Sequence, residues 1–110
     1  MNMYKDFIKE RTDCEFIELD NKGWASYRIN DKICTLYNVY VVPEERLKGT
    51  SQQLGVEVEN IAREKGCKIL ITKVELTKED GDRANLYSIL KFGFKLKSSG
   101  TNYLVFVKEI

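Results

Sequence analysis

The residues able to do chemistry gather in one stretch, between Leu36 and Leu54. It opens with Leu36, Tyr37, Asn38, Val39, Tyr40, Val41 and Val42, a β-branched and aromatic run that reads as a buried strand. Pro43, with no N–H to give, stops the ladder. A charged turn follows, Glu44-Glu45-Arg46-Leu47-Lys48, and then Gly49, which lets the backbone pass close to another group. Thr50 or Ser51 is expected to cap a new helix. The unit is therefore strand, turn and helix N-terminus. N–H groups bared at a helix start, with Arg46 and Lys48 beside them, suit a phosphate. The same pattern also describes an ordinary strand-to-helix connection with a solvated turn, and at this level both readings stay open.

Elsewhere the residue types exclude more than they suggest. The chain has 110 residues, enough for one domain with one core. Apolar residues make up 43% and charged residues 32%, the balance of a water-soluble globule. The net charge of +1 gives no field toward nucleic acid or membrane. Lys91, Lys95 and Lys97 are near one another, but acidic residues offset them and no nucleic-acid motif accompanies them. No apolar run approaches the ~20 residues that a membrane-crossing helix needs. The start, Met1 to Asp6, lacks a basic-then-apolar leader pattern. There is no histidine, and Cys14, Cys34 and Cys67 show no C-x-x-C spacing, so neither a metal site nor a disulfide framework is expected. Small buried thiols in a reducing cytoplasm fit those cysteines.

The elements that must hold the turn follow from periodicity. Residues 3–11 carry a short helical stripe, Met3, Phe7 and Ile8. Cys14 to Leu19, Trp24 to Ile29 and Ile33 to Val42 read as three strands. They are joined at Asp20-Asn21-Lys22-Gly23 and Asn30-Asp31-Lys32, tight turns that make an antiparallel meander. A helix is predicted from Thr50 to Lys65, its stripe being Leu54, Val58, Ile61 and Ala62, with Gly66 closing it. Cys67 to Thr72 is a near-continuous apolar strand, expected to be buried on both faces and parallel to Ile33–Val42. After a polar loop over 77–82, with Asp82 a candidate cap, a helix runs to Phe92 with Leu86, Ile89 and Leu90 inward. Phe94 to Lys97 and Tyr103 to Lys108 then form a hairpin. The order is β-β-β-α-β-α-β-β in one domain over residues 1–110, an α/β layered fold with a mixed, mostly antiparallel sheet.

Two motifs within that order resemble a known family. The run Val41 to Ser51 is similar to the acetyl-coenzyme A loop of GNAT N-acetyltransferases, V-x-P-E-x-R-x-x-G-x-G/A, with Val41, Pro43, Glu44, Arg46 and Gly49 in register. Ser51 stands where Gly or Ala is usual. Leu90-Lys91-Phe92-Gly93-Phe94 resembles the "eKlGF" that ends the family's next helix. The likeness spans residue 14 to the end and is closest to short GNAT-like proteins of tailed bacteriophages. A cytoplasmic site of action goes with it, the host's if the chain is viral. Its front departs from the family, a single small helix replacing the usual first strand and paired helices, which leaves acceptor binding to loops or a partner subunit.

The resemblance implies acetyl-CoA as co-substrate, a primary amine as acceptor, and no metal. In the family the central strand and the next parallel strand splay apart below the loop, and the pantetheine arm pairs with the central strand's backbone. Val39 and Val41 would supply those contacts here. The N–H groups of Leu47, Lys48, Gly49, Thr50, Ser51 and Gln52 would face the diphosphate, with Arg46 and Lys48 adding charge. Tyr40 would line the acceptor pocket or join the core. The family often has a tyrosine where this chain has Ile89, so Tyr87 and the strand-end Glu75 are the remaining candidates for acid and base. Two other readings stand beside this one. The first is a coenzyme-holding or host-binding protein without transfer. The second is a structural or regulatory module that forms a homodimer through an exposed sheet edge.

Overall fold

A computed structural model of the protein describes residues 14–75 and 82–110, with backbone alone for 82–85. The helix expected over 3–11 and most of the 77–82 loop lie outside the described residues, as does the capping role of the Asp82 side chain.

Six strands form one sheet: β1 (Glu15–Leu19), β2 (Gly23–Asn30), β3 (Ile33–Val41), β4 (Ile69–Glu75), β5 (Lys95–Ser99) and β6 (Tyr103–Glu109). Their order across the sheet is β1-β2-β3-β4-β6-β5. The β1-β2-β3 meander is antiparallel. Asn21 (φ 59°) turns its first corner, and Asp31 and Lys32 (φ 50° and 65°) turn the second, as a two-residue hairpin of matching twist requires. Helix α1 (Thr50–Glu64) carries the chain across to β4, which lies parallel to β3. Helix α2 (Asp82–Phe92) then leads to the β5–β6 hairpin, whose second strand pairs antiparallel with β4.

Both helices cover the same face of the sheet. Leu54, Val58 and Ala62 of α1 are fully buried among Ala25, Cys34, Leu36, Leu70, Val74 and Phe106. Each large side chain buried in this way contributes about 1.5–3 kcal/mol. Leu86, Ile89 and Phe92 of α2 pack against the same cluster. Leu90, expected inward, is 56% exposed, because the buried edge of α2 runs 86-89-92 at a spacing of three and carries Leu90 round to the flank. Gly55 has a steric reason: a Cβ there would stand 3.0 Å from the Phe92 ring, so its absence lets the two helices close. Gly66 (φ 83°) follows the last turn of α1 as the left-handed terminator its position calls for.

Strand β4 corrects another expectation. Leu70, Thr72 and Val74 are buried under the helices, but Ile69 and Ile71 are half-buried and Lys73 and Glu75 exposed. The strand therefore alternates, and its second face opens toward the C-terminal end. All three cysteines are buried.

Candidate functional site

The parallel pairing of β3 with β4 lasts four residues. Ile33, Cys34, Thr35 and Leu36 face Ile69, Leu70, Ile71 and Thr72, and pairing then stops. Strand β3 continues to Val41 and β4 to Glu75, each held on its outer side, by β2 and β6 respectively. The middle of the sheet is therefore forked. Two features sit at the branch point. Tyr37 has no partner across from it, because Leu36 pairs with Tyr27 and Asn38 with Ser26; this bulge bends β3 and increases its local twist. The Thr72 hydroxyl donates to the Leu36 carbonyl at 3.1 Å, pinning the last rung.

Past the bulge, the backbone of β3 offers an open edge. Val42 N–H donates to Lys22 O, on the β2 side. Successive residues of a strand address opposite sides, so the N–H and C=O of Val41 and Val39 point into the fork. One of these groups is taken: Arg46 Nε donates to Val41 O at 2.9 Å. The Arg46 guanidinium also lies 5.8 Å from the centre of the Tyr40 ring. Arg46 thus ties the turn to the end of β3.

Above the fork stands the turn. A single 3-10 turn, Pro43–Glu45, begins it. Leu47 (φ 66°) and Gly49 (φ 83°) then reverse the chain into α1. Gly49 is the N-cap, and no side chain caps the helix, which corrects the expectation for Thr50 and Ser51. Thr50 is instead buried, its hydroxyl donating to Glu45 O at 3.2 Å and bracing the turn from beneath. The first α1 rung is Gln53 N–H to Gly49 O, and the N–H groups of Leu47, Lys48, Gly49, Thr50, Ser51 and Gln52 make no backbone hydrogen bond among the described residues. Nothing lies within 4 Å of a Cβ built on Gly49, so the space before the loop is open.

The side chains of this stretch divide by role. The Ser51 hydroxyl meets the Ser88 hydroxyl at 3.4 Å, and Gln52 Nε2 donates to Ser88 O at 2.9 Å. Both side chains join α1 to α2, so only their backbone N–H groups face the open side. Lys48 is exposed and 3.8 Å from Glu45, a surface pair of little energetic weight. Leu47 is fully exposed. Tyr40 lies on the face away from the helices, half-exposed beside Trp24 at 6.1 Å.

The two candidate acid–base residues are placed apart. Glu75 ends β4 opposite Tyr103, on the open face of the sheet. There, Lys73, Glu75, Asn102 and Tyr103 line a cleft of about 150 Å³. Tyr87 lies on the solvent side of α2, 68% exposed, while Ile89 packs inward. The bulge at Tyr37 and the Thr72 pin are parts of the site that periodicity does not reveal.

Two other ionisable groups are shaped by the core. Burial, and then Cys67 beside it, pushes the Cys34 thiol up to about 12. Burial, then Glu15 and Cys34, raises the Tyr27 phenol.

With this geometry in view, the solved structures give the comparison. The PaiA N-acetyltransferase from Thermoplasma acidophilum, in complex with coenzyme A, superposes at a TM-score of 0.77 with 18% identity, over 96% of this chain and 67% of that one. The fold is the GNAT acetyltransferase fold. A GNAT family acetyltransferase from Elizabethkingia anophelis with acetyl-CoA bound gives 0.75, at 18% identity over 96% of this chain and 83% of that one. The ribosomal-protein-S18-alanine N-acetyltransferase from Escherichia coli gives 0.69, at 14% identity over 90% and 70%. No protein-family model matches the sequence, and no curated protein matches it. No group of side chains among the described residues could hold a metal ion, and no described helix is long and apolar enough to cross a membrane.

Proposed function

We propose that the protein is an N-acetyltransferase that moves the acetyl group of acetyl-CoA to a primary amine. One observation carries the reading: six adjacent backbone N–H groups without backbone partners stand directly above a forked pair of strands whose edge is unpaired. Such amides bind a diphosphate without paying for reorganisation, and the helix dipole adds to their charge. The groups left on that edge, the N–H and C=O of Val39 and the N–H of Val41, take the pantetheine amides as a strand would, the Val41 carbonyl being held by Arg46. That places the thioester near the bulge at Tyr37, where backbone N–H can polarise its carbonyl.

Attack by the amine forms the C–N bond and expels the coenzyme thiolate. The acceptor must first lose a proton, and we assign that step to Glu75, which ends β4 three residues past the last parallel rung. The thiolate is protonated by Tyr87 or by solvent, and Tyr87→Phe separates these routes. The titration of choice is calorimetric, with acetyl-CoA as ligand, followed by a panel of amines with thiol release as readout. Absence of heat at millimolar ligand ends the proposal.

Ile89 favours a second reading. It packs in the core where the family often places a tyrosine, so no hydroxyl occupies that position. A coenzyme-holding protein without transfer would bind acetyl-CoA but release no thiol with any amine.

A further inference from the structure

At the branch point the two forked strands carry few groups able to move a proton. The last rung ends in the Thr72 hydroxyl, which is committed to Leu36 O. One residue further along stand Tyr37 on β3 and Lys73 on β4, with Tyr40 and Glu75 beyond them. The Lys73 ammonium lies 4.5 Å from the centre of the Tyr103 ring, drawn toward β6 and away from the fork. Tyr37 is left, and it is the unpaired residue of the bulge. A bulge re-aims side chains, and the residues around this one show where. Cys34 and Leu36 belong to the core beneath the helices, so alternation turns Tyr37 to the opposite face. Regular pairing would return Asn38 to the core side. Instead its amide reaches the Ser26 hydroxyl at 3.4 Å, and Ser26 lies between the core residues Ala25 and Tyr27, facing away from the helices. Tyr37 and Asn38 therefore share that face. The Tyr37 ring is outside the core cluster and 48% exposed, and no hydrogen bond engages its hydroxyl among the described residues. An unengaged phenol thus stands at the branch point itself.

We infer that Tyr37 is a catalytic residue of the transfer: its hydroxyl carries a proton from the attacking nitrogen to the departing sulfur. The inference rests on the coenzyme reading of the fork given above, which sets the thioester at this bulge. It adds a third route to Tyr87 and solvent, and the one that the forked strand itself brings to the branch point. The neutral amine attacks the thioester carbonyl and the C–N bond forms, leaving one proton too many on nitrogen. Nitrogen and sulfur are then bonded to one carbon, so a single hydroxyl beside it can serve both. As the C–S bond breaks, the Tyr37 hydroxyl gives its proton to the sulfur and takes the one that the nitrogen sheds. One amine and one acetyl-CoA become one amide and one thiol, and Tyr37 ends as it began.

The test is single-turnover thiol release by the full chain, with acetyl-CoA and a panel of primary amines (an alkylamine, a diamine, lysine and an alanyl peptide). Calorimetry and thermal melts are run on the same samples. Tyr37→Phe keeps the ring and loses only the hydroxyl. It should melt with the wild type, bind acetyl-CoA with the same Kd, and release thiol roughly 10²- to 10⁴-fold more slowly, the span of a lost proton-transfer group. A Phe variant as fast as the wild type overturns the inference and leaves the coenzyme site and the transfer standing. A Kd that rises, or a melting temperature that falls, in step with the rate makes Tyr37 a binding or structural residue and also overturns it. So does a loss of rate carried by Tyr87→Phe in place of Tyr37→Phe. If the wild type binds acetyl-CoA but releases thiol with no amine, the transfer reading fails along with the inference. If it does not bind, the coenzyme site fails too.

Discussion

Replacing Gly49 separates the fold from the ligand. The residue sits at φ 83°, in a region that costs a residue with a Cβ about 1–2 kcal/mol. Apart from Gly49 itself and its two chain neighbours, no described atom lies within 4 Å of the position a Cβ would take. Gly49→Ala therefore carries the backbone cost and no internal clash. Its melting temperature should drop by roughly 5–10 °C, as expected for a domain of this size. The effect on coenzyme binding has another origin. The added carbon projects into the space before the loop, where the proposed diphosphate would meet the six N–H groups. Losing one hydrogen bond to a charged oxygen costs about 1.5–3 kcal/mol, or roughly 10- to 150-fold in Kd. Gly49→Asn supplies the control, since asparagine tolerates this backbone better while still adding a side chain. Thermal melts and calorimetry with acetyl-CoA on both variants decide the matter. Affinity should fall in both, and stability mainly in Ala. Stability losses as stated with an unchanged Kd in both variants would refute the claim that this loop holds the coenzyme.

Thr72→Val removes the donor to Leu36 O and should destabilise the protein by about 1–3 kcal/mol in a denaturant titration, whereas Thr72→Ser, which keeps the hydroxyl, should lose less. Glu75→Gln should lower turnover with an amine acceptor by roughly 10²- to 10⁴-fold while leaving the Kd for acetyl-CoA unchanged, as read by thiol release and calorimetry. The Cys34 thiol rises from an ordinary 9.0 to about 12 in the fold, so the native state holds its proton where the unfolded chain has lost it. Its contribution is complete below pH 9 and is lost as pH climbs toward 12, by about 1.4 kcal/mol per unit, a slope that melts across this range should show and that Cys34→Ala should flatten.

Much of this architecture is legible along the chain because local and tertiary preferences agree. The three opening strands, the α1 stripe of Leu54, Val58 and Ala62, and the terminator Gly66 all appear where periodicity and turn chemistry place them. The misreadings arise where a neighbouring element decides. Leu90 belongs to a helical stripe on paper, but contact with the sheet selects the 86-89-92 edge. Cys67 to Thr72 looks buried on both sides, yet along Ile69–Glu75 the described helices cover only one. Thr50 has the chemistry of a cap, but its hydroxyl is drawn to Glu45 O and the N-cap passes to Gly49.

The candidate site was legible to the same depth. Proline, arginine and glycine at fixed spacing mark the turn because each has a backbone or charge property of its own. The fork has no such mark. It results from a single unpaired residue, Tyr37, and a four-rung parallel ladder, both properties of cross-strand register. Lys73 and Tyr103 are 30 positions apart and meet only because β4 and β6 pair, so no motif could have joined them.

The most direct measurement is an amide chemical-shift titration of the labelled protein with acetyl-CoA. The account predicts that the backbone amides of Leu47 to Gln52, together with those of Val39 and Val41, move first and furthest, while those of β5 stay in place. Saturation of the protein with those amides unmoved would contradict it.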